Sequence, residues 1–177
     1  MTDDPLLDAL NQADRESFVA RIGPLYEHSP WIAAQAWSSR PFASRDALHA
    51  VLQGIVETAP EPAQLALIRA HPDLAGKLAR AGALEPHSAG EQHGLGLDRL
   101  PDEAFARFDR LNTAYRDRFG FPFVIAVRAQ TRESVLAAFD TRLGNTPEQE
   151  RQTALAEIGK IARFRLEDMA EERSTSL

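Results

Sequence analysis

The sequence contains no cysteine among its 177 residues. Structural disulfides, thiolate zinc sites, iron–sulfur clusters and cysteine nucleophiles all require that residue. The chain must therefore stabilise its fold by packing, and any chemistry must use other side chains.

Runs of basic residues are also missing. The 20 lysines and arginines are outnumbered by 26 acidic residues, which gives a net charge of −6 and a pI near 5.4. Since phosphate backbones bind to concentrated basic surfaces, we expect no nucleic-acid partner. A small anionic molecule remains compatible with this charge, because one or two arginines in a pocket can bind it.

Nothing in the sequence resembles a membrane segment or an export signal. No stretch approaches the ~20 apolar residues that span a bilayer. The first five residues, Met1 to Pro5, have neither the basic nor the apolar part of a signal peptide. We therefore expect a soluble, cytoplasmic protein without a membrane partner.

The residues that are present are typical of one globular domain. Apolar residues make up 44% and charged residues 26%, near the averages for soluble proteins, and the length suits a single core. Helix-capping residues and prolines recur, whereas alternation of apolar and polar residues is rare. We predict an all-α fold, a single-domain bundle of about seven to nine helices over residues 1–177.

Capping and breaking residues predict where several helices begin and end. The predicted helices run from the Ser29 cap to Arg40-Pro41, from Ser44 to about Thr58, from Glu61 to Ala70, from Pro101 to Phe119, from Thr131 onward, and from Thr146-Pro147 to about Glu172. Gly120 closes the fourth of these helices, and Asn112 on its apolar stripe is predicted to form structural hydrogen bonds. The apolar side chains of this predicted stripe are Phe105, Phe108, Leu111, Tyr115 and Phe119.

Two segments are ambiguous. Residues 81–100 are interrupted by glycine and proline and leave room for at most a short helix. The apolar run 121–127 fits a buried strand, a buried loop or a helix start. For this run we favour a loop or a helix start.

His71 is the first candidate functional residue. It follows a predicted helix and precedes Pro72, which disfavours helical backbone at His71 and so ends the helix there. An imidazole can transfer protons near neutral pH. A lone histidine is nevertheless more often a surface residue or a hydrogen-bonded core residue, and both interpretations stay open on chemistry alone.

Ser88, Glu91 and Gln92 form the second candidate group. In one helical turn they share a face, because residues three and four apart are neighbours. A hydroxyl, a carboxylate and an amide on one face suit substrate binding. The commoner alternative is an ordinary helix start, in which Ser88 is the N-cap and Glu91 completes a capping box.

Arg165 is the third candidate. At ~100° per residue it lies inside the apolar stripe of the last predicted helix, with Ile158, Ile161 and Leu166, whereas Arg163 lies on the polar face. A buried guanidinium must be paired. Its partner is a protein carboxylate or a ligand carboxylate, unless the side chain extends outward to solvent.

A metal site is a weaker alternative. His71, Asp73, His87, Glu91 and His93 are residue types that bind zinc, and a bound zinc ion activates water. Their spacing matches no known ligand pattern, and His87 and His93 would diverge on a helix. We therefore predict no metal.

In order and spacing, these motifs resemble the OHCU decarboxylase family, which converts 2-oxo-4-hydroxy-4-carboxy-5-ureidoimidazoline to (S)-allantoin. The resemblance covers nearly the whole chain and is most recognisable at residues 71–77, His-Pro-Asp-Leu-Ala-Gly-Lys. The other matching blocks are Ser29-Pro30-Trp31, Arg40-Pro41-Phe42, Ser88-x-x-Glu91-Gln92, Asn112-x-x-Tyr115, residues 118–125 (Arg-Phe-Gly-Phe-Pro-Phe-Val-Ile) and Arg165-Leu166.

This resemblance implies a carboxy-lyase of urate degradation that works without a cofactor, because a C=N bond of the substrate can accept the electrons of the breaking bond. It implies that His71 and Glu91 are catalytic. The substrate-binding residues that it implies are Pro72, Ser88, Gln92, Phe121, Phe123, Val124, Ile125 and Arg165. It also favours a homodimer, and the expected ligand is the small-molecule substrate.

Other functions remain alternatives from the sequence alone. One is a helical small-molecule binding module that has lost catalysis, and another is a related enzyme acting on a different ureido-ring acid. A metal-dependent hydrolase is the third.

Overall fold

The computed structural model describes residues 3–175, and within that range it contains helices and loops but no strand. The all-α prediction is therefore confirmed. Nine helices have six or more residues and a tenth, α6, is a single turn. The helices are α1 (Pro5–Gln12), α2 (Arg15–Ile22), α3 (Trp31–Ala36), α4 (Arg45–Thr58), α5 (Glu61–Arg69), α6 (Lys77–Arg80), α7 (Pro86–Gly94), α8 (Asp102–Phe119), α9 (Arg132–Arg142) and α10 (Pro147–Thr175).

Side-chain hydrogen bonds cap the first turns of two helices whose starts were predicted from the sequence. The Ser44 hydroxyl accepts a hydrogen bond from the Ala47 N–H at 3.0 Å and starts α4. Thr146 and Gln149 exchange side-chain and backbone hydrogen bonds of 2.9 and 3.2 Å at the start of α10. Gly120, with a φ of +75°, ends α8 as predicted.

One predicted cap is wrong. Helix α3 begins at Trp31 with Pro30 as its N-cap, so Ser29 lies one residue before the N-cap. The Ser29 hydroxyl instead donates a hydrogen bond to the Glu27 carbonyl at 2.8 Å, which stabilises the preceding turn.

The contacts between residues group the chain into two compact units. The central unit is Ile68–Ile158, and the terminal unit consists of the chain up to Leu67 together with the chain from Gly159 onward. Helices α5 and α10 each contribute to both units. The prediction of one domain over residues 1–177 stays a prediction.

The terminal unit has a mainly aliphatic core. Each of its helices turns one apolar face inward, at the spacing of three and four residues expected for amphipathic helices. The fully covered side chains include Leu10, Phe18, Ile22, Ile32, Leu48, Leu52, Val56 and Leu166. Each such side chain contributes roughly 1.5–3 kcal/mol by leaving water.

The central unit has an aromatic core around Tyr115. The Phe119, Phe121, Phe123 and Phe139 rings all lie with their centroids 4.6–6.3 Å from that of Tyr115. The predicted stripe on α8 is confirmed, because its side chains at positions 108, 112, 115 and 119 are buried. No helix in the described part of the chain is both long enough and apolar enough to span a membrane.

Candidate active site

His71 lies in the central unit, immediately beyond the end of α5. Its backbone N–H donates a hydrogen bond to the Ile68 carbonyl at 3.1 Å and closes the last turn, after which Pro72 ends the helix. The residue is only 6% exposed. The interpretation of His71 as a surface histidine is therefore wrong.

The loop after His71 has an unusual backbone. Ala75 adopts a φ of +51°, a left-handed conformation that costs roughly 1–2 kcal/mol for a residue with a β-carbon. A β-carbon at Gly76 would lie 2.9 Å from the Asp73 side chain, so this position requires glycine. The surrounding contacts must offset this strain.

Two buried amide side chains bind the same loop. The Gln92 Oε1 accepts from the Ala75 N–H at 2.9 Å, and its Nε2 donates to the Asp73 carbonyl at 3.2 Å. The Asn112 Nδ2 donates to the Leu74 carbonyl at 2.8 Å. The predicted structural role of Asn112 is confirmed. Gln92 ties α7 to the loop that follows His71, and its predicted contact with substrate stays a prediction.

Helix α7 presents the second candidate group on one face. Ser88 and Gln92 are buried and Glu91 is half-buried, as expected for residues three and four apart. The alternative with Ser88 as the N-cap is wrong, because α7 begins at Pro86 and Ser88 is its third residue. A proline fits the first helical position without losing a hydrogen bond, so the helix starts at Pro86, three residues before the start that a Ser88 cap would give.

We expect that Gln92→Ala lowers the free energy of unfolding by about 2–4 kcal/mol, because it leaves one buried and one partly buried backbone group unpaired beside a strained residue. Chemical denaturation followed by circular dichroism measures this change. Gln152→Ala, on an exposed position of α10, is the control. Equal stability of the two variants would show that the Gln92 bonds contribute nothing to the loop.

Residues 121–127 form a buried loop that ends in a short 3₁₀ turn, Val127–Ala129. The preference for a loop over a strand is confirmed. The predicted residues Phe121, Phe123, Val124 and Ile125 are all buried. The Phe123 ring stacks on Phe139 with their centroids 3.7 Å apart, so this side chain belongs to the core.

The candidate segments of the central unit are physically connected. The Arg69 Nε donates to the Gly120 carbonyl at 3.0 Å and joins the end of α5 to the start of the 121–127 loop. Helix α7 lies against the 3₁₀ turn that ends this loop. The structure therefore brings the His71 loop, the α7 face and the 121–127 loop into one neighbourhood.

A buried ion pair in the central unit was not found from the sequence. Arg142 and Glu150 are 7% and 0% exposed, and the Nε and Oε2 atoms lie 2.9 Å apart. The Tyr115 hydroxyl donates to the same carboxylate. Burial raises the pKa of Tyr115 well above its usual range, and the hydrogen bond to Glu150 acts in the same direction. The phenol therefore stays protonated and remains a donor.

Arg165 lies in the terminal unit and is 2% exposed, which confirms its place in the apolar stripe of α10 and excludes an outward-extending side chain. Its Nη2 lies 3.1 Å from the Glu27 Oε1, and its Nη1 donates to the Leu25 carbonyl at 3.4 Å. A protein carboxylate is thus one partner. Arg163 is partly exposed and pairs with Asp46 and Glu167, as its predicted place on the polar face requires.

The metal alternative finds no support in the geometry. Between residues 3 and 175, no three His, Asp or Glu side chains are placed so that they could hold a metal ion. His87 and His93 are exposed, and the Nδ1 of His93 lies 2.7 Å from Asp98. This hydrogen bond is the largest cause that holds the pKa of Asp98 below its ordinary value.

The chain is similar to known proteins along most of its length. The sequence model of the family described as OHCU decarboxylase matches residues 11–167. The chain is 42% identical over 163 residues to the 2-oxo-4-hydroxy-4-carboxy-5-ureidoimidazoline decarboxylase of Halalkalicoccus jeotgali, covering 92% of this chain and 90% of that protein. The protein of the same name from Amia calva is 43% identical, with coverages of 90% and 91%.

Two solved structures resemble the fold. The crystal structure of (S)-allantoin synthase aligns with a TM-score of 0.69 and 33% identity over 92% of this chain, which spans about half of that protein, 53%. An OHCU decarboxylase crystallised in the presence of (S)-allantoin aligns with a TM-score of 0.67 over 90% of this chain and 99% of its own. At 21% identity, this second likeness supports the fold alone.

Proposed function

This chain belongs to the OHCU decarboxylase family, and we propose that it uses His71 as the acid/base residue that converts 2-oxo-4-hydroxy-4-carboxy-5-ureidoimidazoline to (S)-allantoin in urate degradation. The observation that carries the role of His71 is its burial at the end of α5, before a strained loop that Gln92 and Asn112 hold in place. A catalytic group needs this kind of fixed placement.

The proposed reaction uses the substrate as its own electron sink. As CO₂ leaves C4, the electron pair of the broken bond forms a C4=C5 double bond, and the C=N pair moves to the ring nitrogen, which takes a proton from water. His71 removes the proton of the 4-hydroxyl group. The resulting enolate takes that proton back at C5 as the C4 carbonyl forms, and delivery from one side sets the configuration. No cofactor or metal is required by this balance.

The other residues bind or orient. We assign to Glu91 the orientation of the His71 imidazole, and to Ser88 and Gln92 contact with the substrate from the same face of α7. Pro72 and the loop from Phe121 to Ile125 line the proposed pocket. Because the Phe123 ring belongs to the aromatic core, the backbone of this loop is the part that we expect to touch substrate.

Arg165 is assigned to the substrate carboxylate. A guanidinium binds a carboxylate through parallel hydrogen bonds and so fixes its orientation. In this proposal Glu27 holds the Arg165 guanidinium in place, and the substrate carboxylate is the second anionic partner of that guanidinium.

Three further properties belong to the same proposal. We propose that residues 1–177 form one decarboxylase domain, that two copies form a homodimer, and that the enzyme works in the cytoplasm. The family match over 11–167, which runs through both compact units, supports the single domain. The family resemblance supports the dimer, and a chain without cysteine needs no oxidising compartment.

The test is a rate measurement on freshly made substrate. Urate oxidase and hydroxyisourate hydrolase generate the unstable ureidoimidazoline in place, and its absorbance decays as it loses CO₂. We expect the decay to be faster with the protein than without it. Equal decay rates would contradict the proposed function.

A further inference from the structure

The 121–127 loop is buried but has little regular structure, so its backbone polar groups cannot rely on a helix or sheet for partners. Two of these groups are bound by side chains from different helices. One is the Val124 carbonyl and the other is the Ala126 N–H.

Arg142, the last residue of α9, binds the first group. Its Nη1 donates to the Val124 carbonyl at 2.7 Å, and its guanidinium carbon lies 4.2 Å from the centroid of the Phe123 ring. Glu150 holds the opposite edge of the guanidinium, and Asn145 donates to that carboxylate at 2.9 Å. The guanidinium is therefore fixed from both sides.

Glu157, on α10, binds the second group. Its Oε2 accepts from the Ala126 N–H at 2.9 Å. The side chain is half-buried, so it can be altered with less damage to the core than Arg142. The two hydrogen bonds lie on either side of Ile125. In one of them the loop accepts, through the Val124 carbonyl, and in the other it donates, through the Ala126 N–H.

This pair of bonds determines the direction of the Ile125 backbone. In a planar trans peptide, the carbonyl of one residue and the N–H of the next point in opposite directions. Binding the Val124 carbonyl to Arg142 therefore turns the Ile125 N–H away from that side chain. Binding the Ala126 N–H to Glu157 likewise turns the Ile125 carbonyl away from the carboxylate.

We propose that Arg142 and Glu157 are positioning residues that fix the backbone of Val124–Ala126 against the substrate. The inference rests on the proposed function, which assigns this loop to substrate binding. Neither residue needs to touch the substrate. Each acts through the loop, where a displacement near 1 Å can reduce the rate ~100-fold.

Three variants and one control test the proposal. Glu157→Ala removes the acceptor, whereas Glu157→Gln keeps a carbonyl oxygen in nearly the same place. Arg142→Lys keeps a positive charge beside Glu150 but loses the forked reach to the Val124 carbonyl. Asp140→Ala, at an exposed position of α9, is the control.

We expect Glu157→Ala to lower kcat ~10- to 100-fold while its melting temperature stays near that of the control. Glu157→Gln should recover most of this loss, and Arg142→Lys should lower kcat in the same direction. Control-like kcat in Glu157→Ala, or Glu157→Gln as impaired as Glu157→Ala, would overturn the proposal.

Hydrogen exchange separates this inference from the proposed function. The amide of Ala126 should exchange faster in Glu157→Ala than in the control, whether or not substrate is present. If the unaltered protein does not accelerate substrate decay, the proposed function fails, and the exchange rates still decide whether Glu157 fixes the loop backbone, which is the structural part of the positioning role. Unchanged protection of the loop amides would overturn that role even in an active enzyme.

Discussion

We expect the replacement of His71 with alanine or asparagine to abolish stereoselective allantoin formation and to leave the helical fold intact. Removing a general acid/base typically costs ~10²–10⁴-fold in rate. Asparagine retains hydrogen-bonding capacity and much of the size of the ring but cannot exchange a proton near neutral pH. Comparison of the two variants therefore separates proton transfer from packing. The measurement is the rate of optically active product at saturating substrate, with the circular dichroism of the helices as a check on folding.

A matched control is available on α7. His87 is exposed and lies next to Ser88. His87→Asn should retain full activity, since this imidazole does not face the protein interior. Near-normal turnover in either His71 variant would remove His71 from the mechanism.

The second large effect is expected at Arg165. Arg165→Met leaves the Glu27 carboxylate buried without its guanidinium partner, which should lower the free energy of unfolding by about 3–5 kcal/mol. Arg163→Met changes a partly exposed pair on the same helix and should cost under about 1 kcal/mol. Denaturant titrations of both variants measure the difference.

A double variant separates the structural role of Arg165 from its proposed role in catalysis. Adding Glu27→Gln to Arg165→Met removes the buried charge, so most of the lost stability should return. Activity should stay low, because the guanidinium that we assign to the substrate carboxylate is still missing. Recovery of activity together with stability would make Arg165 a purely structural partner of Glu27.

Local sequence signals predict much of this fold because they act over a few residues. The apolar stripe of α8 and the glycine after it are visible as a three-and-four spacing followed by a residue that tolerates positive φ. The burial of Arg165 follows from the same periodicity. The prediction of Ser88 as an N-cap was wrong because Pro86, two residues earlier, is itself a favourable first residue of a helix.

Side chains that pair across a long stretch of sequence could not be predicted from such local signals. Glu27 lies 138 residues from Arg165 in the sequence, and nothing near either residue indicates the pairing. Arg142 is a different case, because it follows the buried Val135 and Phe139 at helical spacing. The periodicity that places Arg165 on the buried face of α10 also places Arg142 on the buried face of α9. Its bond to the Val124 carbonyl, however, depends on how the 121–127 loop folds.

The chirality of the product tests the central claim most directly. Substrate made in place by urate oxidase and hydroxyisourate hydrolase decays without help, and proton addition in free solution does not favour one configuration. With this protein present, we predict rapid growth of the circular dichroism signal of (S)-allantoin. A signal no larger and no faster than that of the protein-free reaction would contradict the account.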